Sequence, residues 1–468
     1  MTSDTKSSET LAKRNNRKRN SPPSPRVESP AKPGLKARQA ATKILAAVID
    51  RRTSLDGMLD AEHGNPVYRE LNEADRALVR AILNTALRHL PRIEAILSSL
   101  VKTPLPEGAR ALHHVLVVAA AQLLYLDVPD HSAVDLAVEQ AQADPRSRRF
   151  ANLVNAVLRR LGREKSVQLA AAERIPAIPG WFFERLVAVY GRPHAEKIAQ
   201  VQLQPAAIDI TVKSDPDTWA ERLGGTLLPT GSVRLSAFSG AVSALEGFSE
   251  GEWWVQDAAA SIPAKLFGDV AGSRIVDLCA APGGKTAQLA FAGAEVLALD
   301  QSSNRLHRLH ANLERLGLKA QTREINMADF RSDELFDAAL LDAPCSSTGT
   351  IRRHPDVLWT KGPADIEKLA RLQERLLRHA LTLVRPGGLL VFSNCSLDPL
   401  EGEEMIARVL ADQAGWVREP VEASEWPGLE EAITPLGEIR TTPAMLPASQ
   451  GKAGGIDGFY AVRLRRKA

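Results

Sequence analysis

This chain has few cysteines and no long apolar run, and both absences limit what it can be. Three cysteines in 468 residues cannot form a disulfide framework, and no Cys/His spacing resembles a metal site. The longest apolar run, Val115–Ala121, is far shorter than the roughly 18 residues that a membrane span needs. The basic N-terminus is followed by Ser-Pro repeats and lacks the apolar core of a signal peptide. We therefore expect a cytoplasmic protein with free thiols, no bound metal and no membrane association.

A strong excess of one charge is also lacking, since the net charge is only +3 and 25% of residues are charged. The basic residues are nevertheless clustered, at Lys13–Arg19 and again at Arg146–Arg160. Either cluster alone is typical of a solvated tail or helix face. Together they favour an anionic polymer as a partner, because Lys and Arg bind such polymers by neutralising phosphates.

A length of 468 residues is too great for one hydrophobic core and predicts several domains. Residues 1–35 are polar, basic and rich in Ser and Pro, which predicts a disordered tail. Residues 36–165 show only helical periodicity, and residues 168–250 mix helices with a strand, as a small α/β connecting domain would. From residue 251 to residue 468 strands and helices alternate. This alternation predicts right-handed crossovers and a parallel, doubly wound, Rossmann-like sheet.

A glycine-rich segment, Asp277–Thr286, follows a predicted strand and opens a predicted helix. It is not a Walker A loop, because Cys279 stands where that loop needs a glycine, and it is not a G-x-G-x-x-G turn. Gly283 and Gly284 could merely cap a turn, as they do in many proteins. A turn against a helix N-terminus also favours a carboxylate. S-adenosylmethionine carries one, and Lys285 could pair with it.

Acidic or amide side chains end the next two predicted strands. Asp300 is placed to accept hydrogen bonds from both ribose hydroxyls of a nucleoside cofactor. Asn326 and Asp329 follow the third strand, where either could contact an adenine and either could cap the next helix. With the glycine-rich turn, these residues favour a methyl-donor site.

Two cysteines follow strand-like runs, in settings that suit a thiolate. Cys345 lies in Asp-Ala-Pro-Cys-Ser-Ser, which begins at Asp342, and Cys395 lies in Ser-Asn-Cys-Ser. A thiolate that adds to C6 of a pyrimidine makes C5 nucleophilic enough to attack a methyl sulfonium, after which a base removes the C5 proton. The reaction needs one attacking thiol, a second group that assists release, and a group that holds the base edge. This chemistry does not say which cysteine attacks, whereas Cys279 is expected to be a small buried apolar residue.

Several long motifs, in order along the chain, resemble the RsmB/Sun branch of the NOP2/Sun RNA cytosine-C5 methyltransferases. The segments that carry the resemblance are Asp277–Thr286, Asp342–Asp356, Ser393–Ser396 and Asp457–Leu464. The helical N-terminal part is similar to the NusB RNA-binding fold. The resemblance covers about residues 37–468 and implies a class I methyltransferase domain that uses S-adenosylmethionine.

The resemblance also implies roles for individual residues. Cys395 corresponds to the family's nucleophile, Cys345 to the residue that promotes product release, and Asp342 to the group that holds the cytosine edge. The implied cofactor contacts are Cys279, Ala280, Ala281, Pro282, Gly283, Gly284, Lys285, Asp300, Asp342, and Asn326 or Asp329. The implied substrate is a cytosine of 16S ribosomal RNA, free or in a small-subunit precursor, and we expect the enzyme to be a monomer.

The sequence departs from the family pattern at three positions. Ser347 stands where glycine is usual and Asn394 where threonine is usual, and both changes are expected to alter the geometry little. Asn326 occupies the family's acidic position, which leaves the adenine contact open.

Two other functions remain to be weighed. A non-catalytic RNA-binding or antitermination factor could carry a degenerate methyltransferase scaffold, but intact Cys345, Cys395, Asp342 and Lys285 argue against it. DNA methylation is disfavoured by the RNA-binding-like helical part and by the Ser-Asn-Cys-Ser motif.

Overall fold

A computed structural model describes residues 32–60, 62–101, 105–235, 238, 240–448 and 454–468 of the chain. Of the predicted disordered tail, residues 1–35, residues 1–31 lie outside the described residues. The first helix begins at Leu35, directly after a left-handed Gly34. Across the described residues, no helix combines the length and the apolar character that crossing a membrane would require.

The N-terminal part is helical and encloses its own core. Its helices are α1 Leu35–Arg51, α2 Leu55–Met58, α3 Pro66–Arg69, α4 Glu73–Arg88, α5 Leu90–Leu100, α6 Arg110–Tyr125, α7 Asp130–Ala143, α8 Ala151–Arg163 and α9 Lys165–Ala172. Helix α6 buries nearly its whole circumference, which explains why its sequence is strongly apolar. Asn72 caps α4 by accepting a hydrogen bond of 2.8 Å from the Asp75 N–H, as its position predicts. Helix α9 packs on this core and runs past residue 165, where the sequence predicts the boundary.

A small sheet with three helices follows. Its elements are α10 Gly180–Tyr190, α11 Arg192–Val201, β1 Ile208–Val212, α12 Pro216–Arg222, β2 Thr226–Leu227, β3 Val233–Leu235 and β4 Trp253–Val255. The strands run antiparallel in the order β2-β3-β1-β4. Because β4 pairs with β1, this sheet continues beyond residue 250, the predicted end of the connecting domain.

The C-terminal part is built around an eight-stranded mixed sheet. Its strands are β5 Arg274–Leu278, β6 Glu295–Asp300, β7 Gln321–Glu324, β8 Phe336–Asp342, β9 Val384–Asn394, β10 Trp416–Arg418, β11 Ile439–Thr441 and β12 Phe459–Arg466. Its helices are α13 Ile262–Lys265, α14 Gly284–Phe291, α15 Ser303–Arg315, α16 Val357–Thr360, α17 Pro363–Ala380 and α18 Glu403–Asp412. The strand order is β10-β12-β9-β8-β5-β6-β7, and β11 pairs with β12.

The predicted parallel pairing holds for β5 to β9, and the last three strands differ from it. Strand β12 runs antiparallel to β9, and β10 and β11 run antiparallel to β12. The alternation of strands and helices stops after α18, so no crossover helix forces the later strands to be parallel.

The next strand along the chain, β6, lies on one side of β5, and β8 lies on the other side of β5. In doubly wound sheets, ligands bind at such a switch point, outside the carboxyl ends of the strands. Neighbouring strands end level with one another, since Leu278 pairs with Leu341 and Asp342 pairs with Ser393. The polar residues after β5, β8 and β9 therefore meet at one edge.

Candidate active site

A cavity of about 450 Å³ lies at this edge of the sheet. Residues of the glycine-rich turn, of the strand ends and of later loops form its wall. They include Asp277, Ala280, Ala281, Pro282, Gly284, Lys285, Asp342, Arg353, Cys395 and Phe459. The turn and one of the two candidate thiols thus face the same space.

The glycine-rich turn is tight because two of its residues have left-handed backbone. Gly283 has φ 102°, and a Cβ atom there would lie 2.8 Å from Leu309 Cγ. Cys279 also has a positive φ, 67°, which is unusual for a residue with a side chain. Helix α14 begins at Gly284, so its first N–H groups lie beside the cavity.

Asp277, at the end of β5, is a functional candidate that the sequence analysis did not select. Its Oδ2 accepts a hydrogen bond of 2.6 Å from Thr286 Oγ1, while the buried Oδ1 has no hydrogen-bond partner among the described residues. Burial raises the pKa of Asp277 to about 7. An ammonium group in the cavity would satisfy this oxygen, and the amino acid part of S-adenosylmethionine carries one. Its position at the start of the glycine-rich motif is the signal that could have identified it.

Lys285 and Asp342 form an ion pair inside the cavity. Lys285 Nζ lies 2.7 Å from Asp342 Oδ2 and 4.9 Å from the centre of the Phe459 ring. Ser393 Oγ donates to the other oxygen, Asp342 Oδ1, at 2.8 Å. Lys285 is thus bound to Asp342, whereas the sequence analysis pairs it with a cofactor carboxylate. The two contacts fix the orientation of the Asp342 carboxylate at the tip of β8.

Asp300 and Cys279 lie behind the turn. The Asp300 carboxylate accepts hydrogen bonds from the N–H groups of Ala281 at 3.2 Å and Ser302 at 2.9 Å, and Arg305 lies 3.3 Å away. It is 3% exposed and is not among the described residues that line the cavity. Burial raises the pKa of Cys279 to about 12, so this thiol keeps its proton at neutral pH. A ribose contact by Asp300 therefore stays a prediction.

Asn326 and Asp329 are both exposed and lie away from the described cavity wall. Asn326 Oδ1 caps the short turn Met327–Asp329 by accepting from the Ala328 N–H at 3.0 Å. The Asp329 carboxylate makes no hydrogen bond to any described residue. The choice between these two residues for the adenine contact stays open.

Cys345 and Cys395 are in direct contact, with 3.3 Å between their sulfur atoms. Cys395 lines the cavity, whereas Cys345 is not among the described residues of its wall. The Gly349 N–H donates to the Cys395 carbonyl at 2.8 Å, which ties the two loops together. At this distance a hydrogen bond joins the two thiols.

The contact between the two thiols shifts their pKa values in opposite directions. A hydrogen bond from Cys345 lowers the pKa of Cys395, and the same bond raises the pKa of Cys345 well above its ordinary value. Burial opposes ionisation of either thiol. The arrangement favours a thiolate at Cys395, on the cavity side, with the proton held by Cys345.

Three further residues at the site were missed by the sequence analysis. Arg353 and Phe459 line the cavity, and both lie inside motifs that the sequence analysis quotes without giving them a role. Glu401 is completely buried beneath the two cysteine loops. No local pattern identifies Glu401, because its hydrogen-bond partners come together only when the sheet forms.

Family models match two separate parts of the chain. The model described as 16S rRNA methyltransferase RsmB/F matches residues 266–465, and that of the NusB family matches residues 35–163. The ribosomal RNA small subunit methyltransferase B of Sodalis glossinidius is 36% identical over 414 residues, covering 84% of this chain and 93% of that protein. The protein of the same name from Vibrio vulnificus is 35% identical, covering 93% of this chain and 100% of that one.

Solved structures agree on the fold. The crystal structure of PH0851 superposes with a TM-score of 0.70 at 20% identity, covering 94% of this chain and 100% of that chain. The structure of NSun6 from Pyrococcus horikoshii with SFG has a TM-score of 0.52 at 19% identity, covering 63% of this chain and 100% of that one.

Proposed function

Because the chain belongs to the RsmB/F family of 16S rRNA methyltransferases and methylates 16S rRNA with S-adenosylmethionine, we propose that its target atom is C5 of a cytosine and that Cys395 is the nucleophile. The contact between Cys395 and Cys345 is the observation that carries the proposal. Cys395, whose pKa this contact lowers, lines the cavity, and the Cys345 thiol lies against it.

Cys395 begins the reaction by adding its thiolate to C6 of the cytosine. The new S–C6 bond moves the electron pair of the C5=C6 double bond to C5, which becomes nucleophilic. When bound, S-adenosylmethionine supplies the methyl group that C5 takes. Loss of the C5 proton then restores the double bond, and the S–C6 bond breaks to return the Cys395 thiolate.

Asp342 holds the edge of the base. Its carboxylate already accepts from Lys285 and Ser393, and its oxygens can accept further hydrogen bonds. One such bond comes from the exocyclic amino group of cytosine. Since uracil has no hydrogen to donate at that position, this contact selects cytosine.

Cys345 assists the release step. Once Cys395 is bonded to carbon, it no longer accepts the hydrogen bond that keeps the Cys345 proton in place. The pKa of Cys345 then falls, its proton passes to solvent, and the resulting thiolate can take the proton from C5. That transfer regenerates the neutral thiol and drives out Cys395.

The cofactor lies against the glycine-rich turn in this proposal. Asp277 Oδ1 receives the ammonium group, and the start of α14 faces the carboxylate. Asp300 and either Asn326 or Asp329 complete the site. We also assign RNA binding to the helical part and expect a cytoplasmic monomer that acts on 16S rRNA or a small-subunit precursor.

The proposal is tested with 16S rRNA, labelled S-adenosylmethionine and two single variants. We expect Cys395→Ala to form no covalent adduct and to transfer no methyl group. Cys345→Ala should accumulate a protein–RNA adduct that survives SDS. The double variant is the control, since it should form no adduct if Cys395 is the attacking thiol.

Exchanged phenotypes of the two single variants would overturn the assignment of the nucleophile. The target atom is tested separately, by digesting the wild-type product to nucleosides and measuring their masses and retention. A labelled nucleoside other than 5-methylcytidine would contradict the proposed C5 chemistry.

A further inference from the structure

Glu401 lies completely buried between the two loops that carry the cysteines. Its Oε1 accepts from the Ser346 N–H at 2.9 Å and from Gln373 Nε2 at 2.8 Å. Its Oε2 accepts from the hydroxyls of Ser346 and Ser396, each at 2.5 Å. Ser346 follows Cys345 and Ser396 follows Cys395, so one carboxylate binds the residue next to each thiol.

The hydrogen bonds around Glu401 fit an ionised carboxylate. The Ser346 N–H and the Gln373 amide can only donate to it, and two hydroxyls complete the set. Burial raises the pKa of Glu401, and the four donors oppose that rise because they stabilise the charged form. These donors favour the ionised form of the Glu401 carboxyl, which lies at the base of the thiol pair.

The two thiols face different charged groups. Cys345 faces Cys395 and the negative charge of Glu401. Cys395 faces Cys345, Asp342 and Asp457, and the Arg353 guanidinium shares its cavity. Arg353 donates to Asp457 Oδ2 at 2.8 Å, so part of the negative charge on the cavity side is neutralised. The negative charge of Glu401 on the inner side has no cationic partner among the described residues.

We propose that Glu401 is a positioning residue that holds the two cysteine loops in contact and keeps the shared proton on Cys345. The carboxylate acts on both loops at once, through Ser346 on one and Ser396 on the other. Its charge disfavours a thiolate at Cys345, which leaves Cys395 as the ionised thiol. This role rests on the proposed function, because it gives the two cysteines their separate tasks.

The test measures alkylation of each thiol in the intact protein without RNA. Wild type and Glu401→Gln react with iodoacetamide over a range of pH, and mass spectrometry quantifies modification at Cys345 and Cys395 separately. Glutamine keeps the size and one acceptor oxygen but removes the charge. We expect the midpoint for Cys345 to fall by about one pH unit, so that Cys345 is modified at a lower pH than in wild type while Cys395 still reacts first.

Glu438→Gln is the matched control. Glu438 is equally buried but pairs with Arg418 at 2.8 Å and makes no contact with either cysteine loop. The Glu438→Gln variant should leave the alkylation profile of both thiols unchanged. For methyl transfer, Glu401→Gln should lower kcat about tenfold or more while KM for rRNA stays the same, as expected of a group that acts on proton transfer.

Alkylation of Glu401→Gln at the same sites and pH as wild type would overturn the proposal. If that variant does not fold, Ser346→Ala removes one of the short hydrogen bonds and should shift the Cys345 profile in the same direction by less. An unchanged profile in folded Ser346→Ala would then overturn it. Since alkylation needs no RNA, failure here is distinguishable from failure of the proposed cytosine chemistry.

Discussion

Ser347 has a left-handed backbone, with φ 59° and ψ 21°, directly after the Cys345-Ser346 pair. A side chain in this region crowds its own backbone, which costs roughly 1–2 kcal/mol, whereas glycine adopts it freely. The sequence analysis expects serine here to alter the geometry little. Ser347 adopts a conformation that glycine favours, so serine adds strain to a loop that carries a catalytic candidate.

We expect Ser347→Gly to raise the free energy of unfolding by about 1 kcal/mol, because the strain is removed. Urea denaturation measures the change. The Ser347 hydroxyl lies 3.9 Å from Cys345 Sγ, so the gain in stability should come with altered thiol reactivity. The control is Ser346→Gly, which removes a bond to Glu401 at a position without positive φ and should destabilise the protein. Equal effects of the two variants would contradict the strain argument.

At the residue scale the sequence could predict which side chains reach the strand tips but not what they bind there. Asp342 and Cys395 meet in one cavity because they follow adjacent strands whose ends are level. Asp300 and Asn326 follow strands equally well, yet their oxygens are taken up by nearby backbone N–H groups. Such local bonds depend on the path of each loop, which the pattern of apolar residues does not specify.

The loop after Cys345 and the start of β12 are in contact through two glycines. A Cβ atom on Gly349 would lie 1.8 Å from the Gly458 carbonyl oxygen, so no side chain fits there. The Gly458 N–H donates to the Gly349 carbonyl at 2.9 Å, and the Gly349 N–H donates to Cys395. These bonds set the distance between the loop, β12 and Cys395, the proposed nucleophile.

Gly349→Ala should therefore push the loop away from β12 and separate the two thiols. We expect methyl transfer to fall by about tenfold or more, since misplacing a catalytic group by about 1 Å can cost a hundredfold. Gly415→Ala is the control, because a Cβ atom there meets no atom within 4 Å. If Gly349→Ala were fully active in a labelled-methyl assay, close packing of the two glycines would not be needed for catalysis.

In the C-terminal sheet, the five parallel strands β5 to β9 could be predicted from the sequence. Strands β10 to β12 could be predicted only in part. Strands β5, β6, β8 and β9 each precede a helical segment, and that alternation is visible in the sequence, whereas only the short turn Met327–Asp329 lies between β7 and β8. Strands β10 and β11 have three residues each, too few to show a period of two. Their pairing with β12 depends on tertiary contacts, which no local pattern records.

At the scale of the whole molecule, the helical part contacts the loop that follows Cys345. Asp356 Oδ2 accepts from the Leu55 N–H at 2.9 Å, and Trp359 Nε1 donates to the Leu87 carbonyl at 3.0 Å. His354 lies 3.0 Å from Asp56. The helical part therefore supports residues 352–359 in addition to any role in binding RNA, which the separate domain patterns of the sequence could not predict.

Arg88 is a buried link between these parts and gives a sharp test of that support. The residue is 6% exposed, and its guanidinium donates to the carbonyls of Gln202 at 2.7 Å and Arg352 at 3.0 Å. Arg88→Met leaves those acceptors buried and unpaired, which should lower the free energy of unfolding by about 3 kcal/mol. Hydrogen exchange should then accelerate in residues 350–361, and methyl transfer should fall.

Arg92→Met provides the comparison for Arg88→Met. Arg92 also donates to carbonyl groups, those of Ile175 at 3.2 Å and Glu173 at 3.3 Å, but neither acceptor belongs to residues 350–361. Loss of the Arg92 side chain should leave hydrogen exchange in residues 350–361 as it is in wild type. If hydrogen exchange in residues 350–361 is unchanged in Arg88→Met as well, that segment is stable without support from the helical part. Faster exchange in Arg88→Met alone would show that the two parts act as one unit in positioning Cys345.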